Sequence, residues 1–279
     1  MDRSHRDSPN VLFRTRVAAV RRVSPGFLRV TLEGSDLARL VPRGLDQRLK
    51  ILLPDGELPA SLDESLLPET EWRRRWRAIP ASSRPPMRSY TVSESRPDRG
   101  ELDLDFFVHA APGPGSGWAS SARVGDRLVL SAPDRHRDTG SHGVQWRPGN
   151  ATRVLIGGDE TAYPAIRGIV NALGPDIDAE VVLEAGDPAD AEFLTGELKT
   201  GRVELALREK GMRGGEALLD TAAGRLAKIG SVLAGDDGGF YAWFATESSR
   251  VSAIRHRATE AGIARDRVHA QGYWNDRPR

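Results

Sequence analysis

Arg88-Ser89-Tyr90-Thr91 puts a guanidinium, two hydroxyls and an aromatic ring into four residues. In a strand, residues 88 and 90 share a face, so the cation and the ring project together. The guanidinium can fork onto phosphate oxygens. The ring can cover a flat heterocycle by offset stacking, and the hydroxyl of Ser89 or Thr91 can hydrogen-bond its edge. Further along, residues 103–109 end at Val108 and His109 and lead into Gly113-Pro114-Gly115-Ser116-Gly117-Trp118-Ala119. Small residues such as Gly115 let backbone approach a phosphate. Ser116 reads as the N-cap of a short helix over residues 118–122, whose N–H groups would favour an anion. A phosphate cradle beside an aromatic cover is what a dinucleotide flavin needs. Alone, the first stretch reads more simply as an exposed strand, and the second suits a plain loop as well as a cradle.

A third stretch is Gly157-Gly158-Asp159-Glu160-Thr161-Ala162-Tyr163-Pro164. It lies between a buried run, Val154-Leu155-Ile156, and an amphipathic run with Ile166, Ile169, Val170 and Leu173 at helical spacing. Ligands of open α/β sheets bind at such strand–helix turns. An ordinary turn capped by Asp159 or Thr161 is the bland reading. Neither glycine stretch is a GxGxxG fingerprint or a P-loop.

Elements that could position these residues follow from periodicity. Strands are expected at 16–23, 27–32, 48–53, 88–92, 102–109 and 127–131, punctuated by Ser24-Pro25-Gly26, Gly34-Ser35-Asp36 and Pro54-Asp55-Gly56. In the fifth, Leu102, Leu104, Phe106 and Val108 alternate with Asp103, Asp105, Phe107 and His109, so the second, mostly polar set is expected to face a site. A proline-rich excursion over 57–87 holds one short helix at 69–78. Six antiparallel strands with one long excursion predict a Greek-key β-barrel. The remainder alternates strands (154–156, 180–183, 203–207, 241–245, 268–273) with helices (clearest at 215–227 and 248–261), which predicts a doubly wound parallel sheet. The expected plan is therefore a barrel over 11–135, a polar linker over 136–151 and an α/β domain over 152–279.

Composition narrows the chemistry. The 279 residues suit two domains. With 40 basic and 39 acidic residues the net charge is +1, so no global field attracts nucleic acid or an anionic membrane. A local basic patch is conceivable where Arg73, Arg74, Arg75 and Arg77 cluster. Without cysteine there are no disulfides, thiolate metal sites or cysteine nucleophiles. His136 and His142 near Asp134 and Asp138 fit a solvated loop better than a metal site; His5, His256 and His269 show no ligand spacing. Residues 1–10 lack the apolar core of a signal peptide, and no apolar run approaches the roughly 18 residues that cross a bilayer. The expectation is a cytoplasmic monomer without a nucleic-acid partner or stable membrane association, and with no metal site of its own.

In order along the chain, Arg48-Leu49-Lys50-Ile51-Leu52, Arg88-Ser89-Tyr90-Thr91-Val92, Asp105-Phe106-Phe107-Val108-His109, Gly113-Pro114-Gly115-Ser116 with Trp118-Ala119, Gly158-Asp159-Glu160-Thr161-Ala162-Tyr163-Pro164-Ala165, Tyr241-Ala242-Trp243 and Gly272-Tyr273-Trp274 resemble the motifs of siderophore-interacting proteins. These are ferric-siderophore reductases of the ferredoxin-reductase-like flavoprotein superfamily. The resemblance implies an FAD-holding barrel, a domain receiving NADH or NADPH, and reduction of a ferric siderophore to release iron(II). It implies that Arg88, Ser89, Tyr90 and Thr91 contact FAD, that Val108 and His109 line it, and that Gly115, Ser116, Trp118 and Ala119 hold its pyrophosphate side. Asp159, Glu160, Thr161 and Ala162, with Tyr273 and Trp274, would meet the nicotinamide nucleotide. Lys50 would sit at the flavin mouth and attract an anionic ferric chelate. The cofactor carries the redox chemistry, so no general acid or base is named.

Three departures stand out. Thr246 replaces a usual glycine, where a side chain would narrow the nicotinamide path. Asn275-Asp276-Arg277 replaces a usual Arg and nearby Gly, and Ala110 a usual Gly. Two rival readings remain open at this point. One is a reductase of free flavins, quinones or a protein partner on the same fold. The other is a non-catalytic siderophore-binding flavoprotein, which Thr246 favours. An acid at the second strand's end of the α/β domain, Glu184 or Asp187, would favour NADH in a Rossmann arrangement.

Overall fold

Two runs of extended chain change neighbour halfway, and this makes the first sheet curl. In β1 (Asn10–Ser24), residues 10–16 pair antiparallel with β7 (Arg127–Pro133) and residues 16–24 with β2 (Phe27–Glu33). Register shifts at Val17/Ala19 and Arg22/Ser24 bend the strand. The second run is broken outright. β4 (Met87–Thr91) pairs with β3 (Arg48–Leu52), whereas β5 (Glu94–Arg96) pairs with β6 (Glu101–Phe107). Between them, Val92 N–H donates to Gln47 O and Ser93 N–H to Asp103 O. The order is β4-β3-β7-β1-β2-β6-β5. Both ends of this antiparallel sheet thus fall in one short stretch of chain, and the ladder counts seven strands where six were expected.

The computed structural model describes residues 8–109, 112–138, 140, 142–233 and 239–276; His5, Ala110 and Arg277 lie outside the described residues. The chain divides into two units, Met1–Val144 and Gln145–Arg279.

Inside the curl, Phe13, Val30, Leu32, Ile51, Leu104, Phe106 and Leu130 form the first core. On its outer face Leu12, Leu52 and Val129 pack with Leu62, Leu67 and Trp72. Trp72 comes from α1 (Glu69–Ala78), so the proline-rich excursion serves as a lid over one side of the sheet. The basic cluster on α1 is largely neutralised within the helix: Arg73 pairs with Glu69, and Arg74 and Arg75 with Glu71.

The second unit is a five-stranded parallel sheet of order β10-β9-β8-β11-β12. Its strands are β8 (Arg153–Gly158), β9 (Asp178–Ala185), β10 (Arg202–Leu207), β11 (Phe240–Glu247) and β12 (Val268–Trp274). The connecting helices are α3 (Tyr163–Val170), α4 (Pro188–Thr195), α5 (Glu216–Leu233) and α6 (Ser248–Glu260). β11 is buried along its whole length, as a central strand covered on both faces requires. The strand order reverses between β8 and β11. α4 escaped the periodicity because it is only eight residues long and opens on Asp187-Pro188. Among the described residues, no helix is long and apolar enough to cross a membrane.

Two expectations change here. The stretch expected as a linker makes contacts with the first sheet and the loop leading into it: Asp138 takes Arg43, and Gly143 O accepts Arg48 N–H at 2.9 Å, while Asp134 just before it takes Arg39. The acids on the polar face of β6, expected to face a site, are paired within the sheet. Asp105 accepts both Arg29 Nε at 2.7 Å and Arg29 Nη2 at 2.9 Å, while Asp103 accepts Arg96 and Thr31. Paired cross-strand cations and hydroxyls explain why these carboxylates are tolerated in a buried strand. We predict that Arg29→Met, which strands the Asp105 charge, costs about 3 kcal/mol of unfolding free energy. The double variant Arg29→Met/Asp105→Leu should recover most of it in urea melts; an equal loss in both variants would refute this account of the pair.

Candidate functional site

Each unit carries one candidate site. In the first, the β3–β4 ladder sets which side chains share a face. Tyr90 pairs with Leu49 and Arg88 with Ile51, so Arg88 and Tyr90 lie on the face of the core residues. Arg88 runs out to solvent, where its guanidinium donates to Met87 O at 2.9 Å. Tyr90 stays against the core, its ring 4.4 Å from that of Phe106 and tilted by 41°. Burial holds its phenol well above the ordinary tyrosine range, the nearby Arg88 charge notwithstanding. Trp118 extends the cluster, 5.8 Å from Phe106.

The Tyr90 hydroxyl ends against Gly115, where any Cβ would overlap it. Gly115 belongs to α2 (Pro114–Ser121), which starts four residues earlier than the sequence suggests. Its N-cap is Gly113, not Ser116. Pro114 presets the first helical φ, so the helix begins there. Ser116 falls in the first turn, buried, its hydroxyl reaching back towards Gly113 O at 3.4 Å. No side chain caps α2 and no acid occupies its first turn. An uncapped helix start, a strand-borne guanidinium and a fixed aromatic ring suit the pyrophosphate and flat ring of FAD. The donor set fits.

The other residues named from the sequence are distributed differently. Ser89 and Thr91 point to the opposite sheet face from Tyr90. Lys50, opposite Ser89, lies on that same outer face with its Nζ 3.4 Å from Ser89 Oγ. Burial, then Arg73 and Arg48, lowers its pKa. It therefore does not share a face with Arg88 and Tyr90 as a flavin-mouth cation would. Val108 packs against the core. His109 is exposed, edge-on to Phe107 at 5.1 Å. Ala119 is a core residue. His142 Nδ1 is 3.1 Å from Asp138 Oδ1; among the described residues no group of three His, Cys, Asp or Glu could hold a metal ion.

In the second unit, the turn after β8 was expected to face a nucleotide. Its two carboxylates are occupied instead. Asp159 is 1% exposed. Its Oδ1 accepts Thr161 N–H at 3.0 Å and the Thr161 hydroxyl at 2.5 Å. Its Oδ2 accepts the Thr246 hydroxyl at 2.7 Å and Trp274 Nε1 at 2.8 Å. Burial pushes its pKa up to about 6 and the Glu160 charge adds to this, while the bonds from Thr161, Trp274 and Thr246 pull the other way. Glu160 accepts Gly186 N–H at 2.8 Å and is clamped by Arg208, which also reaches Glu184 at 2.6 Å. Nor does Thr246 stand in an open path. It is fully buried, its hydroxyl committed to Asp159 and 2.6 Å from where a Cβ on Gly215 would sit. Ala162 is fully buried beneath the turn, and Tyr273 lies edge-on to Trp243 at 6.2 Å.

Glu184 is likewise unavailable as a ribose acceptor. Its Oε1 takes Gly215 N–H at 2.7 Å and its Oε2 takes Leu218 N–H at 2.8 Å, so it caps α5 from the sheet. Asp187 caps α4 through Ala189 N–H at 2.9 Å, and Glu247 caps α6 through Ser249 N–H at 2.6 Å. Arg208 was missed in the sequence. Its signal was a cation just past β10, beside Glu184 at the end of the neighbouring β9 and near the acids that follow β8.

Residues 16–137 match the family model of the siderophore-interacting FAD-binding domain, and residues 151–277 that of the siderophore-interacting protein. The NADPH-dependent ferric-chelate reductase of Escherichia coli is 29% identical over 268 residues, covering 93% of this chain and 91% of that one. The mycobactin import ATP-binding/permease protein IrtA of Mycolicibacterium smegmatis is 31% identical over 220 residues; the match takes in 78% of this chain but only 23% of that longer protein. The crystal structure of a siderophore utilization protein from T. fusca superposes with a TM-score of 0.73 at 27% identity, covering 98% of this chain and 95% of that one.

Two outcomes are expected. Gly115→Ala drives a methyl into the Tyr90 hydroxyl and should weaken FAD binding about tenfold for about 1–3 kcal/mol of stability; undiminished flavin retention on gel filtration would count against Gly115 as part of the cradle. Asp159 has its folded pKa raised above the unfolded value, so its contribution is fully present at low pH and is lost as pH rises through about 6. From pH 7.5 to pH 5 wild type should gain about 1 kcal/mol relative to Asp159→Asn. A wild-type-to-variant gap that stays constant with pH in urea melts would exclude this.

Proposed function

This chain belongs to the siderophore-interacting protein family, and from that membership we propose that it reduces ferric siderophores and releases iron(II), with FAD as cofactor and NADPH or NADH as electron donor. The observation that carries the proposal is the pair of consecutive family matches, FAD-binding domain first, over a chain whose first unit offers an uncapped helix start beside Arg88 and Tyr90. The curled sheet is read as the six-stranded Greek-key barrel with one strand broken at Val92–Ser93, and residues 152–279 as the nicotinamide-nucleotide domain. In this reading the protein is a cytoplasmic monomer.

The chemistry FAD supplies when bound is to accept a two-electron hydride from a nicotinamide and to deliver electrons singly, so that one NADPH reduces two Fe(III) and leaves one proton. The chain's own residues bind and orient. Arg88 neutralises phosphate charge from the strand, and the N–H groups of Gly115 and Ser116 meet phosphate oxygens from the helix start. Tyr90, braced by Phe106, fixes the plane against which the flat ring lies. With Tyr90 wedged against Gly115 the wall is set before the cofactor arrives, so little ordering is left for binding to supply. The ferric chelate is substrate: its hard oxygen donors hold Fe(III) far better than Fe(II), and reduction alone loosens the metal. Thr246 no longer favours a purely siderophore-binding role, because its hydroxyl is turned into the fold.

The test is an anaerobic titration of the FAD-loaded protein with NADPH and NADH, followed by a ferric hydroxamate or catecholate and an iron(II) chelator. Bleaching of the flavin band, then recovery with two iron(II) per donor, is expected. A flavin that bleaches but never passes electrons to any ferric chelate would refute the siderophore assignment.

A further inference from the structure

The apolar patch on the outer face of the first sheet ends at Leu12 and Val129, and the chain continues on that face with arginines. Arg14 and Arg16 follow Leu12 at every second residue of β1, and Arg127 stands two residues before Val129 on β7. The ladder sets Arg16 directly opposite Arg127. Like charges opposite one another weaken a sheet. A fourth guanidinium, that of Arg99, comes from the 3-10 turn Pro97–Arg99. All four residues line one cavity of about 730 Å³ within the first unit, a volume that takes a small organic molecule.

One wall of this cavity is held by backbone. Gly34 N–H donates to Gly100 O at 2.9 Å, and a Cβ on Gly34 would lie 2.4 Å from Arg14 O. That close approach keeps the turns Ser35–Arg39 and Pro97–Arg99 against β1. The acids of the cavity are unequal partners for its cations. Asp36 is buried and accepts Arg14 N–H at 3.0 Å and the Ser65 hydroxyl at 2.5 Å, which leaves it 3.9 Å from Arg14 Nε. Asp63 holds Arg127 at 2.5 Å. Glu33, opposite Arg16 on β2, and Asp98, next to Arg99, are exposed. Among the described residues neither acid forms an ion pair, and neither does Arg16 or Arg99. Two guanidiniums thus line the cavity without a bonded counter-ion, and that of Arg14 has only a distant one. Leu58 and Val129 add apolar surface between them.

We propose that this cavity binds a small organic polyanion, with carboxylate or phosphate groups on a carbon frame. One group lies between Arg16 and Arg127, where it relieves their repulsion, and another is held by Arg99. Glu33 is the internal competitor for Arg16. The site is separate from the cofactor cradle: β6 lies between them, and about 20 Å of extended chain separates Gly100 from Phe106, which braces Tyr90.

The test is calorimetric binding of citrate and of fructose 1,6-bisphosphate to the full-length, FAD-loaded protein in physiological salt. Wild type is expected to bind at least one of them, and the tighter of the two identifies the carboxylate or the phosphate as the group recognised. Arg16→Ala and Arg99→Ala should each weaken that binding about tenfold. Glu33→Gln, which removes the competitor, should strengthen it several-fold. The three side chains are exposed and unpaired, so their replacement leaves the fold intact, and flavin retention with an unchanged urea midpoint serves as the check. Binding of neither probe overturns the inference. So does binding that is equal in wild type, Arg16→Ala and Arg99→Ala, which would put the anion elsewhere, and so does a Glu33→Gln protein that binds no more tightly than wild type.

Discussion

The carboxylate of Asp159 ties three separate segments together. It closes its own turn through Thr161, reaches β11 through Thr246 and holds the end of β12 through Trp274. Removing a carboxylate from water is costly, and full hydrogen bonding is what makes it tolerable. Four donors on two oxygens also fix the direction in which each donor points. The flat lie of Gly214 under the Trp274 ring, and of Gly215 against Thr246, follows from that knot. A residue whose type suggests ligand chemistry acts here as a joint.

The two units treat their helix starts in opposite ways. The start of α2 carries no cap and no acid, and is flanked by Arg88 through Tyr90. That is a site built from backbone dipoles, suited to a cofactor that stays. In the second unit acids fill the helix starts.

Much of this was legible in the residues. α1 reads directly from 69–78 because it is amphipathic and opens on two glutamates. The parallel sheet reads from its alternation of strand and helix, and Arg88, Tyr90 and Gly115 do lie together. What failed to show did so for physical reasons. An acid alternating with leucine along β6 looks like a ligand-facing stripe until the partners Arg29 and Arg96 are known, and these come from β2 and β5. The roles of Asp159, Glu160 and Glu184 depend on bonds that span up to 115 residues, as from Asp159 to Trp274. Side-chain types announce that charge is present; only tertiary pairing decides whether it is already satisfied. Thr246 looked like an obstruction because a threonine is larger than a glycine, yet its hydroxyl had an acceptor to turn to.

The pairing of β1 with β7 joins Asn10 to Pro133. During synthesis the curled sheet therefore cannot close until residue 133 has emerged from the ribosome. At that moment all of its strands exist, along with Arg88, Tyr90 and α2, while most of the parallel sheet is still untranslated. Among the described residues its core draws on none beyond Ala132. The nascent chain can thus capture its flavin before the second unit has been made, and the cofactor then acts as a ligand that stabilises the first unit while the second is still folding.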